Sequence, residues 1–224
     1  MATLNERDLA ILRHVHLHRV SSRELLQQQF FPSASRNAVG KVIARLAQHD
    51  WLREHRFAAG FHYCTLGRRG VRELDASPTA VRPFTEQSLP AAYALSALCV
   101  TNNFTLLAPP QFQQQYPQLS SAGTASIRYF IYPTVDGNCL ATALLDRANS
   151  RRHLLRKLDR IILQRYRIPA FFTLIQQGRF CITILTGWPA KRDYLAATLG
   201  RQLRGPTRVV IHVVPQLQKF YLRT

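Results

Sequence analysis

The sequence predicts an α+β protein in two parts, and three observations predict it. Apolar residues recur at helical spacing in three short runs before residue 47, two alternating runs joined across Gly60 follow, and beyond residue 88 strand-like runs alternate with helical ones. With 224 residues and 46% hydrophobic content, the chain can build two modest cores. A shift toward Pro, Ser, Thr and Ala between Asp75 and Thr85 marks the join. Domains are therefore expected at 1–75 and 89–224, with 76–88 as linker.

The first helix is expected from Glu6 to about His16, capped by Asn5 and carrying Leu9, Ile11, Leu12 and Val15 inward. Ser21, three residues before Glu24, reads as the capping box of a second helix with Leu25 and Leu26 buried, and Pro32 stops it. A third helix begins near Ser35, capped by Ser33 or Ser35, and buries Val39, Val42, Ile43 and Leu46. Its other face holds Arg36, Asn37, Lys41 and Arg45, donors that suit phosphates and base edges, with Ser35 at its start. Taken singly, these residues are also what an ordinary solvated helix face carries.

The runs Trp51–Phe57 and Phe61–Leu66 form a hairpin turning at Gly60, with Arg56 and His62 flanking its tip, and Arg68 opens a closing helix over Gly67–Leu74. Three helices and a two-stranded ribbon, in that order, make a winged helix-turn-helix whose third helix would enter the major groove of DNA.

In the second part, a mostly uncharged helix is expected over 86–102 and a strand at Phe104–Leu107, with the glutamine-rich stretch 109–117 as a surface excursion. Ile127–Tyr132 and Cys139–Asp146 form a hairpin turning at Asp136-Gly137-Asn138. A strongly basic helix over Ser150–Tyr166 presents Arg151, Arg152, Arg156, Lys157, Arg160 and Arg165 beside the apolar stripe Leu154, Leu158, Ile161 and Ile162. Strands at Phe171–Ile175, Phe180–Leu185 and Val209–Val214, with a helix around Lys191–Leu203, complete a small α/β domain.

The charge balance points the same way. Thirty Lys+Arg against 12 Asp+Glu give a formal net charge of +18, which favours a polyanionic partner, here double-stranded DNA. No amphipathic basic anchor, secretory apolar region or membrane-length apolar run is present, so no membrane partner and a cytoplasmic location are expected. Cys64, Cys99, Cys139 and Cys181 are widely spaced and read as reduced core residues. His14 and His16, two apart on a helix, point about 200° apart and cannot share a metal. His14 and His18 share a face without a third ligand, and read as helix-end histidines that are favourable near the C-terminal dipole when protonated.

The capped first helix, the Phe30-Phe31-Pro32 stop, the Gly60 wing and the strand-strand-helix unit ending in Leu145-Asp146-Arg147 together resemble the replication-relaxation family of plasmid and mobile-element proteins. The layout is similar to that of the MobC-type relaxases, and the resemblance implies a second domain with the restriction-endonuclease, PD-(D/E)XK, fold. It also implies an acidic residue, one further residue and then Asp-Arg on the second strand, with another acid on the preceding strand to hold a divalent metal. Asp146-Arg147 fits the end of that signature, Leu144 stands where the first acid belongs, and Asp136 is the nearest upstream acid, in a turn. An incomplete acidic set predicts an inactive nuclease-like domain with no metal, and Asp146 paired with a nearby arginine.

The expected function is a non-catalytic DNA-binding accessory or initiation factor of a mobile element, acting in conjugative transfer or replication beside other relaxosome or replication proteins. One alternative is a Mg²⁺- or Mn²⁺-dependent nicking enzyme centred on Asp136 and Asp146. Another is a transcriptional regulator, for which a dimer would be natural.

Overall fold

Reciprocal capping starts α1 (Glu6–His18): the Asp8 amide donates to the Asn5 side chain at 2.8 Å, and the Asn5 amide donates to the Asp8 carboxylate at 3.2 Å. The cap of α2 (Arg23–Phe30) is Ser22, whose hydroxyl accepts from the Leu25 amide. Ser21, expected in that role, instead pairs its backbone with Cys64 and ties the α1–α2 connection to the hairpin. Of the two candidate caps for α3 (Arg36–Gln48), Ser35 serves, accepting from the Ala38 amide at 3.3 Å. Strands β1 (Leu52–Arg56) and β2 (His62–Leu66) then pair antiparallel, and α4 (Arg68–Glu73) closes on them. Gly67 and Gly70 are required there, because a Cβ on either would collide with the carbonyl oxygen of Asp50 or Trp51. Ile11, Leu12, Val15, Leu26, Val39, Ile43, Leu46, Leu52 and Leu66 form one core.

The computed structural model describes residues 3–57, 60–120, 127–135, 137–147, 151–202 and 205–221. It is α+β and divides into two compact units, one running to Asn103 and one beginning at Phe104. The segment read as a linker is part of the first unit: it forms a 3-10 turn at Pro78–Val81, packs Ala80 and Val81 on the core, and donates the Phe84 amide to the Tyr63 hydroxyl at 3.1 Å. Helix α5 (Leu89–Asn102) follows and is buried along nearly its whole length, with Tyr93 set edge-on to Phe61 at 4.9 Å. A helix that is apolar all round must be covered, which carries the unit past residue 88.

The second unit is built on a five-stranded sheet in the order β3 (Thr105–Leu106), β4 (Tyr129–Thr134), β5 (Gly137–Leu145), β6 (Phe180–Thr186), β7 (Arg208–Val213). Only β4 runs against the others, since β3–β4 and β4–β5 are antiparallel while β5–β6 and β6–β7 are parallel. Parallel neighbours need crossovers, supplied by α7 (Arg151–Tyr166) with α8 (Pro169–Gln176), and by α9 (Pro189–Gln202). Leu154, Leu158, Phe171, Ile175, Leu195 and Leu199 from these helices cover Leu140, Leu144, Phe180, Ile182 and Ile184. Every residue of β6 is buried, as a strand covered on both faces must be. A short α10 (Gln218–Tyr221) ends the described chain.

Two expectations in this half are corrected, and a third gains an element. Residues 171–175 are helical, because Pro169 opens the turn and Phe171 and Ile175, four apart, enter the core together; the aromatic and β-branched composition imitates a strand. The glutamine-rich stretch lies at the surface as expected and forms α6 (Pro109–Gln115), its glutamines exposed and its buried Phe112 stacked on Tyr129 at 4.3 Å. Arg165 is buried rather than part of the basic surface, its guanidinium 4.8 Å from the centre of the Phe171 ring and 5.8 Å from that of Tyr129.

His14 of α1 is not part of a charged helix end. His14 stacks on His18 at 4.2 Å and its Nε2 meets the Ser21 hydroxyl at 3.3 Å, and burial pulls its pKa down to about 4, so it is neutral near pH 7. The unfolded chain regains the ordinary value of about 6.5 and binds more protons between the two. Stability is therefore full above pH 6.5 and falls as the pH drops toward 4. Urea midpoints at pH 7.5 and pH 4.5 are expected to differ less in His14→Gln than in the wild type; an equal fall in both would show that His14 is not held neutral.

Candidate nucleic-acid interface

The buried stripe of α3, Val39, Ile43 and Leu46, fixes which residues face outward. Arg36, Asn37, Ala38, Lys41, Ala44 and Gln48 are exposed, and no acidic residue lies on this helix. The sequence-predicted donors divide into two groups. Among the described residues Asn37 and Lys41 have no side-chain partner on the outer face, whereas Arg36 pairs with Glu24 of α2 at 3.0 Å and the Ser35 hydroxyl accepts the capping bond. Arg45 is turned back: its Nη2 lies 2.7 Å from Oδ1 of Asp8, a carboxylate with no exposed surface. Arg45 thus joins α3 to α1, and its charge is matched inside the unit.

At the hairpin tip Arg56 and His62 are cross-strand partners, both exposed, beside Gly60 at φ +68°. Arg68 is exposed as the first residue of α4. One cation beside α3 was missed. Arg23 lies against Gly40, where an added Cβ would stand 3.4 Å from Cζ of its guanidinium. The signal for it was a glycine inside a helix, which costs about 1 kcal/mol against alanine and marks a close approach.

In the second unit Arg151, Arg152, Arg156, Lys157 and Arg160 are all exposed on α7. Arg151 lies 5.2 Å from the centre of the Tyr194 ring, and partial burial with nearby Arg147 lowers the pKa of Lys157. Crowded like charges of this kind are relieved by phosphate.

Asp146 stands buried just past β5, with both carboxylate oxygens engaged. The ammonium of Lys191 lies 2.8 Å from Oδ1 and 2.7 Å from Oδ2, and the Thr186 hydroxyl donates to Oδ2 at 3.2 Å. Its partner is thus a lysine brought from α9 and not one of the arginines near it in sequence. Leu144, in the place of the family's first acid, is buried in the sheet core. Asp136, the other acidic candidate, lies outside the described residues. Among the described residues no group of three or more His, Cys, Asp and Glu could hold a metal, and no helix is long and apolar enough to cross a membrane.

Comparison with protein-family models, curated proteins and solved structures gives no match.

Two stability changes follow from these pairs. Arg45→Met leaves the Asp8 carboxylate buried without its cation, and with Arg45 itself partly exposed the expected loss is about 1–3 kcal/mol in urea unfolding; an unchanged midpoint would show that the pair contributes nothing. Lys191→Met is expected to destabilise similarly, and adding Asp146→Asn to recover part of the loss, because the buried charge then goes with its partner. A double variant no more stable than the single one would place the effect elsewhere.

Proposed function

We propose that the first unit is a winged helix-turn-helix that binds double-stranded DNA, with α3 in the major groove and the hairpin tip against the backbone. The observation that carries this reading is the outward face of α3, which presents Asn37, Lys41, Ala38 and Ala44 without an acid, directly after a two-helix pair and before an antiparallel hairpin. The tie between Ser21 and Cys64, which joins the helical part to the ribbon, supports it.

The second unit, in this reading, is a nuclease-like domain without nuclease chemistry that adds affinity through α7. A mixed sheet in sequential order with one reversed strand, crossed by helices, supports the restriction-endonuclease likeness. The engagement of both Asp146 oxygens by Lys191 and Thr186 supports the non-catalytic role, since a divalent ion would have to displace a lysine from its only described carboxylate. The chain then acts as an accessory or initiation factor in the transfer or replication of a plasmid or mobile element, alongside other proteins of that process.

Gel-shift titration of duplex DNA tests the reading. Lys41→Glu is expected to weaken binding at least 10-fold, since it removes an attraction and places a carboxylate against phosphate. Replacing Arg152, Arg156 and Lys157 with alanine should lower affinity for all sequences alike and reduce the salt slope. Unchanged affinity in Lys41→Glu would remove α3 from the interface.

A further inference from the structure

We infer that Asn37 is the base-reading side chain of α3 and that the base it selects is adenine; this rests on the winged-helix reading above and specifies the ligand chemistry of that same face. Three polar side chains on α3 are already engaged. The Ser35 hydroxyl accepts from the Ala38 amide, Arg36 holds Glu24 at 3.0 Å, and Arg45 holds Asp8 at 2.7 Å. Each is steered by that bond toward its own partner. Asn37 and Lys41 are exposed, and neither makes a side-chain hydrogen bond or ion pair among the described residues, so both are unconstrained on the outer face.

The chemistry of these two side chains separates their roles. Asn37 carries an acceptor and two donors in one plane, which matches the N6 amine and N7 of adenine in the major groove as a bidentate pair. Lys41 is a point charge on a flexible stem, suited to phosphate or to the guanine acceptors. Asn37 also stands in the first turn of α3, the end of a recognition helix that meets base edges. The exposed methyl groups of Ala38 and Ala44 add no bulk and match the methyl of thymine, so the reading favours an A·T pair within the site.

Selection from a randomised duplex pool at one fixed salt concentration tests the inference, using the full chain as wild type, Asn37→Ala and Arg36→Ala. The wild type should enrich a motif containing an adenine. Asn37→Ala should lose discrimination at that one position by roughly 10- to 100-fold while keeping its salt dependence, because no phosphate contact is removed. Arg36→Ala should retain the motif. A motif unchanged in Asn37→Ala, or a wild type that binds duplex with no base preference, overturns this inference alone. A wild type that retains no duplex at all overturns the winged-helix reading and this inference with it.

Discussion

The first unit is organised around one buried carboxylate. Asp8 closes the capping box of α1 with one oxygen and holds the Arg45 guanidinium with the other, so a single side chain starts one helix and anchors a second. A charge so placed must be partnered, and its partner stands 37 residues away on α3. The Arg45 pair agrees with the rotation that the apolar stripe of α3 sets. Val39, Ile43 and Leu46 enter the core, and Asn37, Lys41, Ala44 and Gln48 are left along the outer side. The outward face is thus a consequence of what the helix has to bury, and the proposed DNA contacts depend on that orientation.

Asp146 plays the comparable part in the second unit. It is matched by Lys191 and Thr186, and it sits where the parallel strands end and the helix bearing Lys191 begins. Each unit therefore commits a buried acid to an internal basic partner. With 12 acids against 30 Lys+Arg, most cations are left without an internal counterpart, and repulsion among them is relieved by a partner that supplies negative charge along its length.

Periodicity made α1, α2, α3, the hairpin and α7 legible, because each has one apolar stripe and a recognisable cap or turn. Ser21 was expected to cap α2 from its spacing to Glu24, but Ser22 serves, since Ser21 is drawn into pairing with Cys64. Residues 171–175 were misread because a short apolar run has no period long enough to separate helix from strand, and the deciding residue was Pro169. At the site, the residue types were legible but their engagements were not. Arg36 and Arg45 have the same chemistry in sequence as exposed cations, and only the fold brings Glu24 and Asp8 to them. Arg165 was hidden for the same reason, since Phe171 and Tyr129 reach it from other elements.

Lysine acylation of the full chain with and without duplex DNA, read by mass spectrometry, addresses the central claim most directly. The lysines are Lys41 on α3, Lys157 on α7, Lys191 paired with Asp146, and Lys219 on α10, so Lys219 serves as the comparison for the other two exposed sites. Binding through α3 and α7 requires that duplex protect Lys41 and Lys157 while Lys219 reacts as before. Equal modification of Lys41 in the free and DNA-bound chain would contradict the assignment of α3 as the recognition helix.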